Sequence, residues 1–354
     1  MGNMLNCILS GDLPRSRVLT LTLVVILVAL ALAPFIFPGQ RPLNVAAKIC
    51  VFIVLVASYD LLLGYTGIVS FAHTMFYGLG AYGVGLMLHG LGATWGSVAV
   101  GLGVALTISV VLALVIGLLS LRVRATFFAM ITLAVAAAFE ILASQLSWLT
   151  GGEDGRSFKV PELLRPAFRL VDFEVFGVAI SGRVIAYYLV FVAALALFLV
   201  LLRVVNSPFG RALQAIRENE FRAEAIGYRT VLYRSVANCL GAVAATMAGA
   251  LMALWLRYVS PDTALSFHIM IDILLMVVIG GMGTLYGAVI GATFYILAQN
   301  YLQGLMEQAS EATSFVVLQH LLHPDRWLLW LGILFVLSVY FFPAGIVGRV
   351  RQRD

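Results

Sequence analysis

Long uninterrupted apolar runs restrict the fold of this 354-residue chain more than any other feature. Hydrophobic residues make up 62% of the sequence and charged residues only 11%, whereas globular domains have about 45–50% and about 25%. A water-soluble fold of this size would lack the polar side chains to cover its surface. Disordered and collagen-like chains are excluded by the same composition. The sequence therefore predicts an integral membrane protein.

Ten apolar runs are candidates for membrane spans, each of which needs roughly 20 mostly apolar residues. In chain order they are 18–38, 43–63, 74–90, 97–120, 125–147, 184–205, 235–256, 268–281, 285–304 and 327–347. The runs 74–90 and 268–281 are short and glycine-rich, so each is a candidate for a broken or re-entrant element. Because backbone groups in lipid have no water partners, we predict an all-α membrane protein of about ten transmembrane helices.

The positions of the arginines predict the orientation of the chain, since cytoplasmic loops are enriched in Lys and Arg. Ten spans place both termini on the same side, together with these arginines: Arg15, Arg17, Arg122, Arg124, Arg203, Arg211, Arg217, Arg222, Arg229, Arg234, Arg349, Arg351 and Arg353. We therefore expect a cytoplasmic leader (1–17), a transmembrane domain (18–347) and a cytoplasmic basic tail (348–354). Within that domain, the loop 148–183 is predicted to be extracytoplasmic and the loop 206–234 cytoplasmic. The +5 net charge then reflects topology, without a nucleic-acid partner.

The 206–234 loop has the sequence signals of two short amphipathic helices. Ser207 is a good N-cap and Pro208 suits the first helical position. Phe209, Leu213 and Ile216 follow at helical spacing and form one apolar face. A second helix is predicted from 220 to 226, with Gly227 as its left-handed stop. Such a loop is either a docking surface for a cytoplasmic partner or an interfacial segment whose arginines only enforce topology.

Three segments of the chain resemble the permeases of ATP-binding-cassette importers for branched-chain amino acids. The first is GRALQAIRENE with AEAIG (210–220 and 223–227), the second is DLLLGYTGIVSFAH (60–73), and the third is LMVVIGGMGTLYG (275–287). They occur in the family's order, and the resemblance extends from about 40 to 345. The first forty residues and the stretch 156–183 match no pattern of the family.

The resemblance implies that the 206–234 loop couples the permease to an ATPase. The residues that it places in this coupling role are Arg211, Arg217, Glu218, Asn219, Glu220, Glu224 and Gly227. It further implies two cytoplasmic ATPase subunits, an extracytoplasmic binding protein and a second permease chain that is homologous but different. The permease chains are expected in a bacterial inner membrane. A Walker A loop needs Gly-Lys-Ser/Thr, and neither Lys48 nor Lys159 follows a glycine. We therefore expect no cofactor in this chain, with ATP and magnesium bound by the partner.

Polar residues near the second and third runs are candidates for the substrate path. Asp60 leads into a segment with glycines at 64 and 67, a spacing that favours a broken helix lining a cavity. Four residues in or after this segment would line that path: Thr66, Ser70, His73 and Tyr77. The alternative is that Asp60 and His73 only form local hydrogen bonds near the cytoplasmic interface, as most lone buried polar groups do.

Other ionisable and small residues within the spans favour structural roles. Lys48 is expected to pair with Glu140 or Asp272, because an unpaired charge in lipid is costly; proton coupling is the functional alternative. The Gly287-x-x-x-Gly291 spacing favours close helix packing over substrate contact. The remaining residue types give no catalytic set and no metal site: Cys7, Cys50 and Cys239 are far apart, and His320 and His323 alone are a weak signal.

The sequence thus predicts a permease subunit that imports branched-chain amino acids, and it leaves three alternatives open. A permease for urea or short amides would share the same sequence blocks. A stand-alone secondary transporter or channel would need no ATPase. An integral-membrane enzyme is the third alternative, although it lacks any constellation of carboxylates or histidines.

Overall fold

The computed structural model describes residues 16–36, 39–120, 125–175, 178–312, 326–341 and 345–352. Within these residues the chain is a bundle of long helices with two small two-stranded sheets at one end. Several residues discussed above lie outside the described residues: Cys7, Arg15, Arg122, Arg124, His320, His323 and Arg353. The predicted leader lies almost wholly outside them as well.

The helices follow the predicted apolar runs closely. They are α1 (Arg17–Ala31), α2 (Ala33–Ile36), α3 (Gln40–Thr66), α4 (His73–Gly90), α5 (Trp95–Ser120), α6 (Ala125–Gln145), α7 (Ser147–Thr150), α8 (Gly182–Asn206), α9 (Pro208–Glu218), α10 (Glu220–Ala225), α11 (Thr230–Leu256), α12 (Pro261–Ala264), α13 (Phe267–Gly280), α14 (Leu285–Ala312), α15 (Trp327–Phe341) and α16 (Gly345–Gln352). Each predicted run contains a helix, which confirms the all-α class.

The four strands lie in or beside the connection that precedes α8. They are β1 (Arg156–Ser157), β2 (Arg169–Val175), β3 (Val178–Ser181) and β4 (Tyr258–Val259). β1 pairs antiparallel with β4, with Ser157 opposite Tyr258, and β2 pairs antiparallel with β3. Since β4 directly follows α11, these strands mark the end of the bundle opposite to the 206–234 loop. We call the two ends of the bundle the loop end and the strand end.

The helices differ in how well their length and composition suit a membrane span. Among the residues that the structure describes, six helices are long and apolar enough to cross a membrane by length and composition, so the predicted count of about ten is not confirmed. Their burial differs: 94% of the apolar window of α3 is buried within the chain, but only 22% of the corresponding window of α6. α3, α4 and α11 therefore form the centre of the bundle, whereas α5 and α6 present apolar side chains outward, as lipid contact requires.

The first break in the helical course follows α3. Residues 67–72 are not helical, and they bring His73, the first residue of α4, beside Ser58 of α3, with 2.8 Å between His73 Nε2 and Ser58 Oγ. Ser58 lies about two turns before the end of α3, so α4 begins inside the bundle. The runs 74–90 and 268–281, both predicted as candidates for broken or re-entrant elements, are each one continuous helix, and in each case the break precedes the helix.

A second break follows α11 and enters from the opposite end. Residues 257–266 contain only β4 and the single turn α12, and Leu265 reaches the position where a Cβ on Gly78 of α4 would stand. α13 therefore also begins inside the bundle. α3 ends at the loop end and α11 begins there, so the two helices run antiparallel. In both pairs, α3–α4 and α11–α13, a long helix is followed by a break and by a second helix that begins inside the bundle. The two pairs enter the bundle from opposite ends.

The predicted end of the run 285–304 needs correction. α14 continues as a helix to Ala312, eight residues beyond the predicted end of the run at residue 304. The polar side chains after 302 hid this extension, since a helix that leaves the apolar layer keeps its hydrogen bonds without keeping an apolar sequence. Residues 313–325 lie outside the described part of the chain.

Candidate functional site

The first helix of the 206–234 loop is fixed to the bundle along one face. Ser207 Oγ accepts a hydrogen bond from the Gly210 N–H at 3.4 Å, and Pro208 takes the first helical position. Leu213 and Ile216 are buried completely or almost completely. Burying one such side chain contributes about 1.5–3 kcal/mol, so the face holds α9 against α3, α8 and α11. The cap and the apolar face are confirmed as predicted.

The second helix is held by its polar residues. Asn219 Oδ1 accepts from the Arg222 N–H at 2.9 Å and so caps α10. Thr230 Oγ1 donates to Glu224 Oε1 at 2.7 Å, and Glu220 forms an ion pair with Arg234 at the start of α11. Gly227 adopts a φ of 97°, the left-handed conformation predicted for the stop after α10. The loop is therefore a firm projection of two helices.

The structure separates the seven predicted coupling residues into two groups. Arg217, Asn219, Glu220 and Glu224 bond to other parts of the same chain, and Gly227 shapes the turn. Arg211 and Glu218 are exposed, and the described residues give their side chains no hydrogen bond or ion pair. The coupling role of all seven remains a prediction.

Two apolar residues of the projection were missed by the sequence analysis. Phe221 is 83% exposed and Ile226 is 74% exposed, whereas Leu213 and Ile216 of α9 are buried. Both have charged residues as neighbours in the sequence, and neither belongs to the apolar face of α9. That position off the buried face was the signal that could have identified them, since exposed large apolar side chains outside a membrane indicate a contact surface.

The four candidate path residues lie together in the centre of the bundle. Thr66, Ser70, His73 and Tyr77 are each at most 2% exposed. Thr66 Oγ1 donates to the Leu62 carbonyl at 2.6 Å, and His73 contacts Ser58 as described above. These contacts are the local hydrogen bonds of the alternative interpretation. In this conformation helices cover all four side chains, and their place in a substrate path remains a prediction.

Among the described residues, Lys48 and Asp272 belong to one hydrogen-bonded cluster, whereas Glu140 has no side-chain hydrogen bond or ion pair to Lys48. Lys48 Nζ donates to Gln299 Oε1 at 2.9 Å, and Gln299 Nε2 lies 3.5 Å from Asp272 Oδ2. Tyr295 OH donates to Asp272 Oδ1 at 2.5 Å. Lys48 therefore meets Asp272 through Gln299, which agrees with one of the two predicted pairings. We call these four residues the Lys48 cluster.

The glycines of the third block pack helices together. A Cβ on Gly287 would lie 2.9 Å from the Gly280 carbonyl carbon, and a Cβ on Gly291 would lie 3.0 Å from the Gly280 nitrogen. α13 and α14 thus approach along the Gly287-x-x-x-Gly291 spacing, which confirms the packing interpretation. Among the described residues, no group of three or more His, Cys, Asp or Glu side chains is placed to hold a metal ion.

Comparison with known proteins identifies the family. Residues 41–338 match the sequence model of the family described as branched-chain amino acid transport system / permease component. The high-affinity branched-chain amino acid transport system permease protein LivM of Salmonella typhimurium is 25% identical over 362 aligned positions, covering 98% of this chain and 78% of the relative. LivM of Escherichia coli K12 is 25% identical over 350 positions, with 94% and 76% coverage.

A second type of permease is also similar to the chain. LivH of Salmonella typhimurium is 24% identical over 322 positions, which cover 89% of this chain and 97% of the relative. No solved structure matches the chain with significance. The family match covers most of the chain, and the helices agree with it. The chain therefore belongs to the branched-chain amino acid permease family, as a multi-pass membrane component of an ATP-binding-cassette importer and not an enzyme.

Proposed function

We propose that this chain carries branched-chain amino acids inward across a bacterial inner membrane, driven by ATPase subunits that bind its 206–234 loop. The observation that carries the proposal is the projection of α9 and α10, which is fixed to the bundle on one side and exposes Phe221 and Ile226 on the other. Arg211 and Glu218 are exposed on the same projection. An apolar centre with charged neighbours is the usual composition of a protein interface.

The remaining partners follow from this orientation. The loop end is cytoplasmic in the proposal, because its arginines satisfy the charge rule for loops. The strand end then receives substrate from an extracytoplasmic binding protein. Because relatives of two types, LivM and LivH, match the chain, we propose that the second permease is a homologous but different chain. ATP and magnesium bind to the two ATPase subunits and not to this chain.

Copurification tests the docking surface. We expect the double variant Phe221→Ser/Ile226→Ser to insert and purify normally but to lose most of the ATPase that copurifies with the wild-type permease, since the apolar centre of the interface is removed. The matched control is Leu163→Ser, because Leu163 is also exposed but lies near the strand end. Normal ATPase recovery with the double variant would contradict docking at this surface.

Uptake into proteoliposomes tests the transported substrate. With ATPase subunits, second permease and binding protein present, we expect ATP-dependent uptake of radiolabelled leucine and no uptake of radiolabelled urea. Uptake of urea instead would favour a permease for short amides. Uptake against a gradient by the purified chain alone would favour a stand-alone transporter, since the proposal places the energy source on another polypeptide.

A further inference from the structure

Arg217 leaves the surface of α9 and reaches into the bundle. Its Nη1 donates to the Gly64 carbonyl, which belongs to the last turn of α3. Carbonyls of a last helical turn have no partner within the helix, so the guanidinium supplies one. The side chain also passes close to Gly67, where an added Cβ would lie 3.2 Å from Arg217 Cγ. Arg217 thus covers the point at which α3 ends and the 67–72 break begins.

The same side chain meets the turn between α13 and α14. A Cβ on Gly283 would lie 3.0 Å from Arg217 Nη1. The Gly283 N–H donates to Asp60 Oδ1 at 2.9 Å, and Asp60 is 1% exposed, one turn before Gly64. Arg217 and Asp60 therefore meet at the same residue of the turn, Gly283. We call the residues Asp60, Gly64, Gly67, Arg217 and Gly283 the Arg217 junction.

The backbone at the junction is suited to a change of conformation. Gly67 has a φ of 73° and Gly283 a φ of 81°, conformations that residues with a side chain rarely adopt. Each lies where a long helix ends or a new one begins, the usual position of a hinge. Arg217 itself is still solvent-exposed, so water can replace its hydrogen bond to the carbonyl. The contact can therefore break and form again during a transport cycle.

We propose that Arg217 is a positioning residue that passes movement of the 206–234 loop to the ends of α3 and α13, and that it does not contact the ATPase. This inference depends on the proposed function. α9 carries Arg217 in its last turn, and Asn219 after it caps α10, which carries Phe221 and is followed by Ile226. A displacement of the loop would pull the guanidinium away from Gly64 and Gly283. The segment after α3 and the turn between α13 and α14 would then be free to move together.

The test separates positioning from docking. In the reconstituted importer, we expect Arg217→Ala to retain copurifying ATPase and basal ATP hydrolysis but to reduce uptake about tenfold or more, as expected for loss of a charged hydrogen bond. Arg217→Lys should restore part of the uptake, because its ammonium can reach the Gly64 carbonyl. Gln214→Ala is the matched control from the exposed surface of the same helix, with uptake within about twofold of wild type. Loss of ATPase from Arg217→Ala, or wild-type uptake by it, overturns the inference.

A second measurement needs no ATPase and therefore distinguishes failure of this inference from failure of the proposed function. Thr284 follows Gly283 and is half-buried. In the purified permease with Cys7, Cys50 and Cys239 replaced by Ser, we expect a cysteine at position 284 to react several-fold faster with a polar thiol reagent in Arg217→Ala than with Arg217 present. Size-exclusion chromatography verifies that both variants are folded. Equal labelling rates overturn the inference whether or not the ATPase binds.

Discussion

Two polar contacts join α3 to the hairpin of α13 and α14, and they are built differently. At the loop end, the Arg217 junction links backbone groups of α3 and of the α13–α14 turn through Asp60 and a side chain from α9. Deeper in the bundle, the Lys48 cluster links side chains of α3, α13 and α14 directly. One contact includes the 206–234 loop, and the other includes the three bundle helices alone.

The difference indicates which contact is able to change. A hydrogen bond at the loop end can be exchanged for one to water at small net cost. Inside the apolar layer there is no water to replace a lost partner, so breaking an interaction between charged groups is expensive. We therefore expect the Lys48 cluster to hold α3 and the hairpin together throughout transport, while the Arg217 junction opens and closes at the loop end.

Removing one charge of the Lys48 cluster is the strongest challenge to this comparison. Asp272→Leu leaves Lys48 without its opposite charge, and we expect the free energy of unfolding to fall by about 3–5 kcal/mol. The double variant Lys48→Met/Asp272→Leu should recover part of that loss. Detergent-titrated unfolding of the purified protein measures both. A single variant as stable as wild type would contradict the view that the cluster fixes the hairpin.

A smaller effect is expected at Asp60, which accepts the Gly283 N–H. Asp60→Ala leaves this half-buried donor without its charged acceptor, which should lower the free energy of unfolding by about 1–3 kcal/mol. Asp60→Asn retains an acceptor of the same shape and serves as the control. The same unfolding assay checks the prediction. If the alanine and asparagine variants were equally stable, the link between α3 and the α13–α14 turn would not depend on this bond.

The smallest effect is expected for the ion pair of Glu220 and Arg234 on the surface of the projection. The Glu220 side chain is 45% exposed and that of Arg234 15%, and exposed pairs contribute about 0–1 kcal/mol. A double-mutant cycle with Glu220→Gln and Arg234→Gln should give a coupling energy below about 1 kcal/mol, decreasing with added salt. A coupling energy of several kcal/mol would mean that the loop end also contains a strong polar contact. It would contradict the view that polar contacts at the loop end are exchanged at small cost.

The sequence predicted local structure well where the signals were local. Ser207, Pro208 and Gly227 act through their own backbone geometry, so the ends of α9 and α10 followed from residue type. The extent of α14 did not follow, because its last two turns are polar. The break at 257–266 was predicted as the gap between two runs, but its return into the bundle depends on contacts such as that of Leu265 with Gly78, which no local pattern specifies.

The sequence predicted where the candidate site lies in the chain. It did not predict which of its residues bond within the chain and which are exposed. Charge density and the family resemblance pointed to the 206–234 loop, and the structure forms it as one projection. A sequence places charges along the chain but does not pair them. Arg217 and Arg211 therefore looked equivalent, although one contacts Gly64 and the other faces outward. The exposed Phe221 was missed.

Composition and apolar runs by themselves determined that this chain is a helical membrane protein, because lipid admits few other ways to satisfy the backbone. Residue type likewise determined the caps and stops of the short helices. Only the tertiary structure decided which helices lie at the centre, where α4 and α13 begin, and which arginine enters the bundle. These outcomes depend on contacts between residues far apart in the chain, such as Asp60 with Gly283, and no periodicity along the sequence encodes them.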